Sequence, residues 1–250
     1  WFGEPPPALA HAVSYFWAVH WDYGDQPPYR QLIVPYPNVH LSFVAGETAR
    51  VNGVSRRHVV RVLEGAGRVF GVAFRPGGFR PFLGRAVSSL TDRSVPAAEV
   101  LGPAVPEREM AEVTSWPEAV ELVEPLLRTG ATDWDPAADE AASMVACIAE
   151  DPDLTRVDEL AARFGLGVRR LQRSFAEYVG VGPKWVIRRY RLHEVTQHME
   201  RGLPIEWARL AADLGYSDQA HLSRDFTAMV GETPTAYAER YPPRTGSLPG

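Results

Sequence analysis

The 250-residue chain has one cysteine, Cys147. A single thiol excludes a disulfide framework within the chain and a zinc site built from several cysteines. Cys147 lies in an apolar helical stretch, where an inert buried thiol is expected. No apolar run approaches the roughly 20 residues of a membrane span. No basic segment leading into an apolar one opens the chain, so no secretory signal is read there. The opening residue is Trp1 rather than Met, which leaves room for a start further upstream. A reduced cytoplasm is the expected setting. Also missing are Gly-x-Ser-x-Gly, the phosphate-cradling Gly-Lys-Ser/Thr and the dinucleotide glycine pattern. His11, His20, His40 and His58 do not stand at helix-face ligand spacing. His40 and His58 could meet across a sheet, but no metal and no cofactor are expected. The acids at 107, 109, 112, 118, 121 and 124 suit a solvated helix face, and no catalytic residue is assigned.

What remains is an ordinary globular composition, 45% hydrophobic and 23% charged, long enough for two cores. The net charge of −5 argues against a nucleic-acid binder when read over the whole chain. It is unevenly placed. Residues 1–150 hold 12 basic and 18 acidic residues, net −6; residues 151–250 hold 14 and 13, net +1. From Arg163 to Arg191 eight Lys/Arg stand against one acid, Glu177. Local potential governs phosphate binding, so this cluster outweighs the total.

The cluster falls inside a repeat. Leu160-Ala161-Ala162 and Gly165 recur 50 positions later as Leu210-Ala211-Ala212 and Gly215. Leu171, Arg173, Phe175, Val179, Gly180 and Pro183 recur 51 positions later as Leu222, Arg224, Phe226, Val230, Gly231 and Pro234. The register changes in the turn after the glycine, where one extra residue costs least. Two copies of one supersecondary unit are implied. In each, a short helix ends at a glycine suited to the left-handed C-terminal position. A second helix follows with an apolar stripe at i, i+4, i+8. Ser217-Asp218 supplies a cap in the second copy. This is the helix-turn-helix pattern, whose second helix enters a major groove. Away from the stripe the first copy presents Arg169, Arg170, Gln172 and Arg173. The second presents Gln219, His221, Ser223 and Arg224. Arg suits guanine edges and Gln suits adenine edges.

Residues 150–242 resemble the DNA-binding domain of the AraC/XylS family of bacterial transcription regulators. The second copy carries the resemblance, with Gly215-Tyr216-Ser217-Asp218-Gln219-Ala220-His221-Leu222-Ser223-Arg224-Asp225-Phe226, then Gly231, Thr233-Pro234 and Tyr237. The resemblance implies two units joined by a long helix, with both recognition helices in successive major-groove segments of double-stranded DNA. Base contacts then fall to Arg169, Gln172 and Arg173 in the first unit. In the second they fall to Gln219, Ala220, His221 and Arg224, with Ala220 able to touch only a thymine methyl. Arg170, Lys184, Arg188, Arg189 and Ser223 are assigned to the DNA backbone, with Arg189 or Arg191 open to a structural role. The joining helix, Pro183 to Glu200, ends before Gly202 and Pro204. It spans roughly 27 Å, which with its flanking turns sets two recognition helices about one DNA turn, roughly 34 Å, apart.

The N-terminal region reads as β-rich. Residues 8–21 suggest a short helix running into a strand. Strands are expected at Gln31–Val34, His40–Val44, Arg50–Val54, His58–Leu63 and Val69–Phe74, forming an antiparallel sheet or small barrel. Gly71-Val72-Ala73-Phe74-Arg75-Pro76-Gly77-Gly78 resembles a turn found in the N-terminal domains of some AraC-type regulators, followed by a helix ending near Gly84. Helices are expected at Glu118–Leu127 and at Pro136–Glu150 behind an Asp135 cap, with a break over 127–132.

The expected fold is α+β: a β-rich sensing or regulatory domain (1–105), a helical dimerising or connecting segment (106–150), an all-α domain of two helix-turn-helix units joined by a long helix (151–242), and a disordered tail (243–250). The expected function is sequence-specific DNA binding by a transcription regulator, not an enzyme. RNA polymerase, a small-molecule effector and a second copy of the chain are the further partners considered. A ligand pocket is placed at Trp17, Tyr36, Asn38, His40, Phe74 and Arg75. Arg75 would hold an anionic ligand or pair with an acid of its own domain. An enzyme-like N-terminal domain acting through His40 and a ligand-free dimerising domain stay open as alternatives.

Overall fold

The computed structural model describes residues 1–130, 135–201 and 205–240. Eight strands come first: β1 Phe2–Gly3, β2 Val13–Asp22, β3 Tyr29–Ile33, β4 His40–Val44, β5 Arg50–Asn52, β6 Val59–Leu63, β7 Ala66–Phe74 and, after a short helix, β8 Ser94–Pro96. Six form an antiparallel sheet in the order β1-β2-β7-β4-β5-β8. The other two, β3 and β6, form a separate ribbon. The result is an open sheet and a ribbon rather than a barrel.

No helix forms over residues 8–12. Turns lead from Pro5-Pro6-Pro7 directly into the ten-residue β2. Strand alternation explains the aromatics better than a helix does: Phe16 points into the core while Trp17 points the other way. Trp17 pairs across the sheet with Gly71, and its indole covers that residue so closely that a Cβ there would overlap it. An aromatic laid over a cross-strand glycine holds the pairing register.

Helix α1, Arg80–Leu83, ends at Gly84 in the left-handed region (φ 67°). Helices α2 Ala97–Leu101, α3 Glu107–Glu112, α4 Trp116–Gly130 and α5 Pro136–Glu150 follow. The Asp135 carboxylate accepts from the Ala137 N–H at 2.9 Å, so α5 begins where its cap lies. The helical segment divides between two cores. In α4, Ala119, Val123 and Leu127 pack into the sheet domain. In α5, Ala141, Met144, Val145 and Ile148 join the core of the first helix-turn-helix unit. The break expected over 127–132 lies partly, and the tail at 243–250 wholly, outside the described residues.

Six helices complete the chain: α6 Val157–Arg163, α7 Val168–Ser174, α8 Pro183–Glu200, α9 Trp207–Asp213, α10 Gln219–Val230 and α11 Pro234–Glu239. A wide π turn at Phe175–Val179 extends α7. Among the described residues no helix is long and apolar enough to cross a membrane.

Candidate nucleic-acid interface

The repeat appears as repeated hydrogen bonds. Leu166 N–H donates to Ala161 O at 2.8 Å, and Tyr216 N–H to Ala211 O at 2.8 Å. Gly165 and Gly215 stand at φ 63° and 65°, a conformation a side chain would strain. Helix α7 begins three residues after its glycine and α10 four after its own, which is the register change seen in the sequence. Leu171, Phe175 and Val179 are buried in one unit; Leu222, Phe226 and Val230 are buried in the other. The units have separate cores that meet along α8: Val186 and Ile187 pack in the first, Leu192, Val195 and Met199 in the second.

With those faces buried, the opposite faces are fixed. Arg169, Arg170, Gln172 and Arg173 are exposed on α7. No described residue holds any of these four side chains, which leaves a dense cationic surface open to an anion. On α10, Gln219, Ala220 and Arg224 are exposed, while His221 and Ser223 are half-buried. His221 stands edge-on to the Tyr216 ring at 5.1 Å, with Ser217 Oγ 3.3 Å from its Nδ1. The Asp218 carboxylate accepts from the His221 N–H at 2.7 Å. That bond, then the Ser217 hydroxyl, holds the Asp218 carboxyl below its ordinary pKa. Helix α7 has Gly167 at the same place and no side-chain cap.

The cationic run from Arg163 to Arg191 proves to be two populations. Arg163 pairs with Asp151 at 2.5 Å and Glu159 at 2.9 Å. Arg191 is buried, and its guanidinium donates to the carbonyls of Ile148 and Asp151. Arg189 is only 2% exposed, which overturns its assignment to the DNA backbone. Its Nε donates to Pro35 O, and its guanidinium lies 4.2 Å over the Tyr36 ring. Burial lowers its pKa, an effect the neighbouring tyrosines oppose. Arg188 is also turned inward, against the phosphate role given to it. It donates to Asp225 at 2.9 Å and covers the Tyr216 ring at 4.2 Å, bracing α8 against α10. Arg169, Arg170, Arg173 and Lys184 remain as the outward cations. Asp225 and Tyr216 are the functional residues that reasoning from sequence missed. Asp225 lies 37 residues from its partner, and nothing local marks the pair.

The six residues of the expected ligand pocket are engaged in contacts of their own. Phe74 is in the core against Phe79 and Phe82. Asn38 Nδ2 donates to Phe74 O at 2.6 Å, and Arg75 Nη1 to Ala10 O at 3.2 Å, so Arg75 serves a backbone carbonyl rather than an acid. Tyr36 faces α8, its hydroxyl 3.0 Å from His193 Nε2. Trp17 Nε1 lies 3.2 Å from His40 Nδ1, which accepts from it. Burial pushes the His40 pKa down to about 4, so the ring is neutral at pH 7. A different concavity does occur, an apolar groove of about 390 Å³ between α1, α2 and α4, with Phe82, Leu101, Leu122 and Leu126 among its walls.

Residues 160–240 match a helix-turn-helix domain family, and residues 3–96 match a domain of unknown function (DUF6597). No curated protein matches the chain. Among solved structures it is similar to ToxT from Vibrio cholerae, at 12% identity over 92% of this chain and 99% of that one, TM-score 0.41. ToxT of Vibrio cholerae strain SCE256 with a bound unsaturated fatty acid aligns at 12% identity over 94% and 98%, TM-score 0.43. ToxT of Vibrio cholerae O395 bound to (E)-4-(8-methylnaphthalen-1-yl)but-3-enoic acid aligns at 10% over 90% and 98%, TM-score 0.40. The doubled unit and the matched segment define a helix-turn-helix DNA-binding protein. The signature of its second copy is similar to that of the AraC/XylS family of transcription regulators.

Proposed function

We propose that α7 and α10 read two consecutive major-groove segments on one face of a DNA duplex. The observation that supports this is the pair of equivalent helix faces, both turned outward. Arg169, Gln172 and Arg173 read bases in the first segment. Gln219, Ala220, His221 and Arg224 read the second. Arg170, Lys184 and Ser223 touch the DNA backbone. Phosphate contacts supply affinity and the Arg and Gln contacts supply sequence choice. The test is selection of bound duplexes from a random pool by the intact chain. Two enriched blocks about one turn apart support the reading. A single block, tied to Arg173 alone, would make the second unit an anchor.

We propose further that the sheet domain binds a small apolar effector in the groove beside Phe82 and Leu126. Its volume lies in the usual range for ligand sites, about 300–1,000 Å³, and its walls are apolar. A thermal-shift screen that stays flat across apolar metabolites, or shifts that survive Leu126→Arg, would sink this. The reading places the chain in the cytoplasm and takes it as a binder rather than an enzyme. Turnover lost on changing His40, with DNA binding intact, would overturn the latter. RNA polymerase contact and self-association through 106–150 belong to the same reading. The molar mass in solution checks the second.

A further inference from the structure

The sheet domain holds both helix-turn-helix units, and it holds them at corresponding places. In the first unit, the grip is on residues 177–180. Arg80 pairs with Glu177 at 2.5 Å, and Gly77 N–H donates to Tyr178 O at 3.0 Å. The Thr91 hydroxyl donates to Gly180 O, and a Cβ on Gly180 would meet Val87 Cγ1 at 3.0 Å. Shifted by 51, these residues are 228–231 of the second unit. There His58 N–H donates to Ala228 O at 3.0 Å, and His58 Nδ1 lies 2.9 Å from the same oxygen. Leu32, on the ribbon, packs against Gly231 so closely that a Cβ would overlap it. Gly180 and Gly231 have φ of 97° and 94°, so the same left-handed turn is used as a handle twice. The joining helix is held between them, by Arg189 on Pro35 and by Trp185 Nε1 on Arg56 O at 3.3 Å.

The two units have separate cores that meet along α8. A single helix shared by two small cores leaves their relative orientation soft. A second body that touches both removes that freedom. It does so from the far end of each recognition helix, leaving Arg169, Arg170, Gln172 and Arg173 and, on the other helix, Gln219, Ala220 and Arg224 exposed.

We propose that the sheet domain is a splint that sets the separation and angle of the two recognition helices, with Arg80 and Thr91 at one end and Leu32 and His58 at the other. These residues thereby determine which spacing of the two DNA blocks the chain accepts, although none of them faces DNA. The consequence for DNA rests on the reading of α7 and α10 above; the geometry does not.

The geometry is tested without DNA. Spin labels go on Ala162→Cys and Ala212→Cys, exposed and equivalent positions, in the full chain with Cys147→Ala. One narrow distance distribution is expected. Arg80→Glu and, separately, Leu32→Ser should broaden it, and Arg80→Glu with Glu177→Arg should restore it. Unchanged distributions in both single variants would overturn the splint, because α8 alone would then set the spacing. Should Arg80→Glu fail to fold, Leu32→Ser decides from the other end. The DNA consequence is read on duplexes whose two selected blocks are moved apart by one base pair. The intact chain should lose affinity more steeply than Leu32→Ser. Equal losses would remove the link to spacing, and no binding by any form would count against the DNA reading rather than the splint.

Discussion

The two helix-turn-helix units share a backbone and differ in what they present. Both turn on a left-handed glycine, bury the same stripe and are held at the same turn. The first offers three arginines and a glutamine, with no side chain capping α7. At the shifted positions the second offers Ala220, His221, Ser223 and Arg224, with Asp218 capping α10. The first unit is built for charge and the second for a placed histidine and one arginine. The buried stripe fixes the fold, so the outward face was free to diverge.

That comparison can be broken at several depths. The deepest is the shared core. Phe175→Ala and Phe226→Ala should each cost about 3–5 kcal/mol, seen in denaturant unfolding. Because the cores are separate, hydrogen exchange should quicken first in the unit that carries the change. Equal loosening of both units would mean one cooperative core.

On the outward faces, Arg173→Ala should weaken its DNA block by about 1–3 kcal/mol, measured by titration of the selected duplex. The converse change, Ala220→Arg, copies Arg169 into the second unit and should give its block a new guanine preference of similar size. An unchanged block would mean that position 220 does not reach base edges. Between the units, Asp225→Asn should cost roughly 1–2 kcal/mol by weakening the hydrogen bonds to the half-buried Arg188 guanidinium. The loss should be smaller in the Arg188→Met, Asp225→Asn pair than the two single losses added together.

Smaller effects separate the helix starts. Asp218→Ala should fray the amides of 219–222, seen as faster hydrogen exchange there. The Asp218 carboxyl is held below its usual pKa, so its contribution is full above the ordinary carboxylate range. It is lost as pH falls through the lowered value. Helix α7, capped by glycine, should show no such acid fraying by hydrogen exchange. Smallest of all, Lys184→Ala should lower the salt dependence of DNA binding by about one phosphate contact, with sequence preference unchanged.

Much of this was legible in the chain. The Leu-Ala-Ala and glycine spacing gives the helices and turns because those hydrogen bonds close within a few residues. Asp135 and Asp218 mark helix starts for the same reason. Five strands lay close to their expected places. The aromatic run at 13–21 misled, since Phe16 and Trp17 suit a strand's alternation once Gly71 lies opposite. The interface was half legible. Arg169, Arg170, Gln172 and Arg173 follow from the helix period. The inward turn of Arg188 and Arg189 does not, and neither do the partners of Tyr36, Asn38 and Arg75.

The sequence alone determined the repeat, its register change and the faces of α7 and α10, because each depends on neighbours within one or two helical turns. Only the tertiary structure decided which cations of the run face outward. Arg188 finds Asp225, Arg189 finds Pro35 and Arg191 finds Ile148 across distances of 37, 154 and 43 residues. A guanidinium within reach of a buried carbonyl or carboxylate is drawn inward by hydrogen bonds that no local pattern records.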